Sequence, residues 1–150
     1  MADNSLSVEI TGLDPVIQKF TEAPKTINRE MNKTMKASLE VVHEKILPYP
    51  PQRENMVRPY KRTGTLGKSL GVDQGGNPIG KPTVYSISGS GAGMEGRFGT
   101  NLSYAKYVIS PDEQAYMHKN WWWTMDVIAK RAKDKIIAVW NEFIKRALGA

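Results

Sequence analysis

Six apolar residues at helix spacing, stopped by a block of prolines, constrain this chain more than any other feature. Ile27, Met31, Met35, Leu39, Val42 and Ile46 step by four, four, four, three and four. That spacing puts all six on one face of a helix over about 25–47. Arg29, Glu30, Lys33, Lys36, Glu40 and Glu44 fall on the other faces, as expected of a solvated side. His43 lies beside the stripe, at its boundary. Pro48-Tyr49-Pro50-Pro51 then ends the helix, because proline removes a backbone donor and its ring clashes with the preceding turn.

A second stripe of the same kind closes the chain. Trp121, Met125, Ile128, Ala132, Ile136, Val139 and Phe143 predict a helix over about 121–147, widened by Trp140, Ile144 and Ala147. Between the helices lie short alternating runs. Val8 and Ile10 read as a first strand, ending at Gly12. Thr83, Tyr85 and Ile87 read as a second, with Met94 to Thr100 as its return across the Gly89–Gly93 connection. Asp14 at an N-cap and Pro15 at the first helical position open a short helix with Val16, Ile17 and Phe20 on one face. The expectation is an α+β fold in which both long helices pack on one face of a small antiparallel sheet. At 150 residues, with no internal repeat, the chain reads as a single domain over 1–150.

From Pro48 to Arg62 there is no hydrophobic period. A stretch of this length without structure is unusual in a small domain and tends to be functional or disordered. Fully extended it spans roughly 50 Å. Five basic residues (Arg53, Arg58, Lys61, Arg62 and Lys68) face one acidic residue, Glu54, within 53–68. The local net of +4 over 53–68, most of it on a basic arm over 48–62, is most of the chain's net charge of +6. With Tyr49 and Tyr60 the arm suits a protein partner; it also suits nucleic acid, with cations on phosphates and rings on bases, or a disordered segment.

Catalytic chemistry is hard to assemble from these residues. There is no cysteine, which removes disulfides, thiolate nucleophiles, thiolate zinc sites and iron–sulfur clusters. The two histidines, His43 and His118, are distant in sequence, and neither adjoins a nucleophile elbow. Gly89-Ser-Gly-Ala-Gly93 lacks the Lys-Ser/Thr ending of a phosphate loop, and Gly64–Ser69 lacks its glycine spacing. No cofactor or metal is expected, and no enzymatic activity. No apolar run is long enough to span a membrane, and the first residues do not read as a secretory signal, so synthesis in a cytoplasm is expected.

Trp121-Trp122-Trp123 is the most unusual tripeptide. On a helix its three rings spread over about 200°, so they cannot all face one core. Either at least one ring anchors a partner, or the chain is not yet helical there and two rings turn inward. A membrane-interface belt is a third reading.

Two segments go further. Arg62-Thr-Gly-Thr-Leu-Gly-Lys-Ser69-Leu70 and Gly99-Thr-Asn-Leu-Ser-Tyr104-Ala-Lys-Tyr107-Val108 resemble, in order and spacing, the paired motifs of the tail-completion or head–tail joining proteins of long-tailed bacteriophages. The Tyr-Pro-Pro segment and Gln114-Ala-Tyr-Met-His118 also look like those of some members. The resemblance covers roughly residues 8–148. Ile109-Ser110-Pro111-Asp112 departs from it, where many members carry an acidic residue and Gly-Thr.

The resemblance implies a non-catalytic structural virion protein: a subunit of a ring, commonly sixfold, where the tail joins the neck. The implied partners are further copies of the chain, the head-closure protein of the neck, and the tail tube or terminator protein. Genomic DNA would pass through the lumen without sequence-specific reading. The alternative is a DNA-binding protein using the basic arm. The candidate subunit-interface residues are Tyr49, Arg53, Arg58, Tyr60, Lys61, Arg62, Trp121 and Trp122. Arg62 is the foremost candidate for a specific polar contact. Gly64 and Gly99 are expected at tight turns, and Leu66, Leu70, Tyr104, Tyr107 and Val108 in the core.

Overall fold

A computed structural model describes residues 5–11, 25–46, 50 and 63–148. In chain order the elements are β1 (Leu6–Ile10), α1 (Lys25–Ile46), α2 (Thr65–Ser69), β2 (Val84–Ser88), β3 (Glu95–Thr100), α3 (Lys106–Ile109) and α4 (Met125–Leu148). Gly91–Gly93 and Tyr116–His118 form single 3-10 turns. The short helix expected after Asp14 lies outside the described residues.

The three strands make one antiparallel sheet in the order β1–β3–β2. The last strand in sequence is thus the central one. Phe98 of β3 stands opposite Val8 on one side and Tyr85 on the other, and is 1% exposed. Its ring meets His43 of α1 at 5.3 Å and Tyr85 edge-on at 6.4 Å. The α+β architecture expected from the two stripes and the alternating runs is the one observed, with both long helices against the sheet.

The first stripe packs as its spacing predicts: Met31, Met35, Leu39 and Val42 are fully buried. Thr34 and Ser38 share that face and are buried too. Each donates its hydroxyl to the carbonyl four residues earlier, Glu30 and Thr34 respectively, so neither hydroxyl is left unmatched. From α4, Met125, Ile128, Ala132, Trp140 and Phe143 complete the core. Outside it, Lys135 pairs with Glu44 across the two helices at 2.5 Å, and Lys33 with Glu30 along α1 at 2.9 Å. The polar face is therefore the solvated one that the alternation of charges suggested.

Two expectations change. The last helix begins at Met125, not near Trp121. Residues 119–122 turn instead, with Asn120 at a positive φ of 61°, a conformation asparagine tolerates. The amides of Trp121 and Trp122 both bond to the His118 carbonyl, at 3.0 Å each. A helix there would spread three indoles around its circumference, whereas the turn leaves all three half-buried.

Gly99 is also not a turn residue. It sits within β3, where a Cβ would lie 1.9 Å from the Leu6 carbonyl oxygen. Its missing side chain permits close approach of β1 rather than a change of direction. Gly64 does have the expected left-handed backbone, with φ 76°.

Candidate interaction surface

The two sequence motifs meet in space. Ser69 ends α2 and Thr100 ends β3. Their hydroxyl oxygens are 2.7 Å apart, and both residues are buried. Ser69 donates its proton to the Leu66 carbonyl at 2.7 Å, so the proton between the hydroxyls comes from Thr100. The Leu102 amide in turn donates to Thr100 Oγ1 at 3.2 Å. Thr83, just before β2, joins the same knot: its amide donates to the Ser69 carbonyl at 2.8 Å. Its hydroxyl oxygen accepts from the Asn101 amide at 3.3 Å. Every proton here has a structural destination. This arrangement locks α2 to the end of the sheet.

Of the sequence-predicted interface residues, Tyr49, Arg53, Arg58, Tyr60, Lys61 and Arg62 lie outside the described residues. Trp121 and Trp122 are described and half-buried. Trp122 packs on the core together with Trp123. Both line a cleft with Pro50, Ile109 and Val72. Its volume of about 20 Å³ has room for little more than a single water, so the cleft is too small for a ligand. The Arg131 guanidinium stacks over the Trp123 ring at 4.0 Å. The inward reading of the indoles thus holds for Trp122 and Trp123. Pro50 is the one described residue of the arm, and it lines this cleft with the two indoles.

The exposed aromatics lie elsewhere. Tyr104 and Tyr107, expected in the core, are 41% and 50% exposed. On the short helix α3 only Val108 and Ile109 turn inward. Tyr116 is 90% exposed and Met117 39%. The Ala115 amide bonds to the Tyr107 carbonyl at 2.8 Å, which holds the Tyr116 turn beside α3. Gln114 secures the connection by donating to the carbonyls of Val108 at 2.7 Å and Trp122 at 3.0 Å. Lys106 pairs with Glu113 at 3.1 Å and lies over the Tyr107 ring at 5.1 Å. The Glu113 carboxylate raises the Lys106 pKa. The surface is therefore rich in tyrosine and close to neutral, which is the chemistry of a protein contact. The signal was present in the spacing Tyr104, Tyr107, Tyr116. It reads equally as core until the length of α3 is known.

Other chemical readings find little support in the geometry. The Gly91 amide in the glycine-rich connection is taken by the Asn28 side chain at 3.3 Å. His43 Nε2 lies 3.0 Å from the Gly71 carbonyl and so carries the proton that the bond needs. Among the described residues no group of three or more His, Asp or Glu is placed to hold a metal ion. No helix among them is long and apolar enough to cross a membrane.

Compared with known proteins, residues 14–109 match a family model, HK97-gp10_like, described as "Bacteriophage HK97-gp10, putative tail-component". The match spans both motifs and the first long helix. No curated protein and no solved structure gives a match.

Proposed function

We propose, for a chain that belongs to the HK97-gp10-like family of bacteriophage tail components, that it is a structural virion subunit acting by assembly into a ring. The ring would sit at the head–tail junction or the end of the tail tube, between the neck's head-closure protein and the tail tube or terminator protein. The subunit works by binding and carries out no catalysis. It is made in the host cytoplasm and incorporated into the virion.

The observation that carries the reading is the exposed Tyr104–Tyr107–Tyr116 surface; Tyr107 shares its short helix with Ile109, which lines the cleft that holds Pro50. A closed ring needs two different complementary surfaces on each subunit. The tyrosine surface is one. The arm over 48–62 is the other, reaching the neighbouring copy with Tyr49, Arg53, Arg58, Tyr60, Lys61 and Arg62. Prolines and guanidinium groups both pack well on tyrosine rings. Trp121 and Trp122 are the remaining candidates for the subunit contact.

The test is light-scattering mass over a concentration series, with negative-stain images of the same samples. A closed particle at a multiple of the chain mass, with a central hole, is the expected result. Deleting residues 51–60 should leave a folded monomer that no longer assembles. A monomer at every concentration, alone and with purified tail tubes, would overturn the ring.

A further inference from the structure

Among the described residues the sheet has two open edges. β1 and β2 each pair with β3 alone, so each five-residue strand has one side without a ladder partner. Folded proteins usually blunt such edges with charge, proline or a bulge. β2 reads Val84-Tyr-Ser-Ile-Ser88, without charge or proline, and its register with β3 runs without a bulge. The one charge in β1, Glu9, lies on the face away from Val8 and Ile10, where Arg97 pairs with it at 2.6 Å.

The apolar face of the sheet also stops short at β1. Val8 and Ile10 share that face with Phe98, Tyr85 and Ile87 across the register. A groove of about 680 Å³ then separates β1 from α4, lined on the helix side by Ile136, Ile137 and Trp140. Trp140 is 5% exposed, yet its indole N–H has no acceptor among the described residues. A buried donor of this kind is disfavoured unless something supplies an oxygen. A strand laid along β1 brings carbonyl oxygens and side chains to that groove.

Charge selects the strand that fits. Lys130 and Lys133 line the groove, are exposed, and have no ion-pair partner among the described residues. At the other edge Glu40 of α1 is exposed and equally unpaired among them. Burial, and then the Glu40 charge, raises the pKa of Tyr85, which sets Glu40 beside β2. Lys81 on that side is held over the Tyr85 ring at 4.8 Å, so Glu40 is the charge left for a partner. Pairing β2 with β2 of a second copy sets Glu40 against Glu40, and β1 with β1 sets lysines against lysines. Pairing β1 with β2 joins opposite charges. Both strands run antiparallel to β3, so a sheet continued this way joins them in parallel. Each copy then offers a different edge to each neighbour, the head-to-tail relation of a closed ring.

We propose that β2 of one copy adds in parallel to β1 of the next, with Glu40 facing Lys130 and Lys133. This rests on the ring proposed above and adds a contact to it beside the arm and the tyrosine surface.

Isotopically light and heavy chains, mixed before assembly and joined by zero-length carbodiimide coupling, test it on the unaltered protein. Glu40 linked to Lys130 or Lys133 in light–heavy pairs is the expected product of assembled particles. Glu44 with Lys135, a pair within one chain, should couple without mixing and serves as the control. Amide exchange should slow in both Val84–Ser88 and Leu6–Ile10 on assembly. Particles that assemble without the mixed link, or without added protection in both strands, would overturn this contact and leave the ring standing. A monomer under every condition would overturn the ring and the contact with it. Glu40→Lys should weaken assembly, and adding Lys130→Glu with Lys133→Glu to the same chain should restore it. All three side chains are exposed, so the fold should survive. No restoration in a chain with native circular dichroism would also overturn the contact.

Discussion

The hydroxyls of Ser69 and Thr100 lie 2.7 Å apart in the core, one from each sequence motif. The proton order runs from the Leu102 amide to Thr100, from Thr100 to Ser69, and from Ser69 to the Leu66 carbonyl. Each hydroxyl uses its single proton once. Both motifs therefore serve the junction between α2 and the sheet.

Thr100→Val keeps the shape and removes this link. It leaves the Leu102 amide without its acceptor and Ser69 without a donor. The expected loss is about 1–3 kcal/mol in chemical denaturation. Unchanged stability would mean that water replaces the hydroxyl and that the knot is not a structural lock.

Gly99→Ala tests the close approach of β1. The added carbon would fall 1.9 Å from the Leu6 carbonyl oxygen, on backbone that cannot rotate away. At least about 1–3 kcal/mol should be lost. Amide exchange should speed first in Leu6–Ile10, the strand that must move. Equal loss of protection in α1 and β1 would point to global destabilisation instead.

Acid should loosen the 73–77 turn locally. Asp73 Oδ1 accepts from the Asn77 amide at 2.9 Å and the Gly75 amide at 2.8 Å, and both carboxylate oxygens meet the Asn77 side chain. The Asn77 side chain, then the Asn77 backbone amide, holds the Asp73 pKa below its ordinary value. The support is complete above the unfolded carboxylate pKa and is lost as pH falls through the lower folded one. The amide shifts of Gly75 and Asn77 should titrate with an inflection below that of an aspartate in a peptide. An inflection at the ordinary value would refute the arrangement.

Tyr116→Ser separates assembly from folding. The ring is 90% exposed, so stability should change by no more than about 0.5 kcal/mol. On the proposed function, assembly should weaken markedly by light scattering. Full assembly would remove Tyr116 from the contact.

Much of the fold was readable from periodicity. The stripe from Ile27 to Ile46 and that from Met125 to Phe143 each forced one helix face inward, and Val8 with Ile10 marked β1. Less was readable where a short segment offered two facings. Tyr104 and Tyr107 looked like core because they flank Ala105 and Val108, which are core. A single helical turn buries only one side, and the aliphatic residues took it. The three tryptophans posed the same ambiguity. The His118 carbonyl resolved it by holding them in a turn.

The sequence by itself determined the α+β class, the two amphipathic helices, the proline stop after α1 and the pair of motifs. These follow from local rules of spacing and backbone chemistry, which act within a few residues. Only the tertiary structure decided that β3 lies between β1 and β2, that Ser69 meets Thr100, and that Gly99 serves an approach rather than a turn. It also decided that the tyrosines face outward while Trp122 and Trp123 pack inward. Those outcomes depend on residues distant in the chain competing for the same buried volume, and no local pattern records which of them wins.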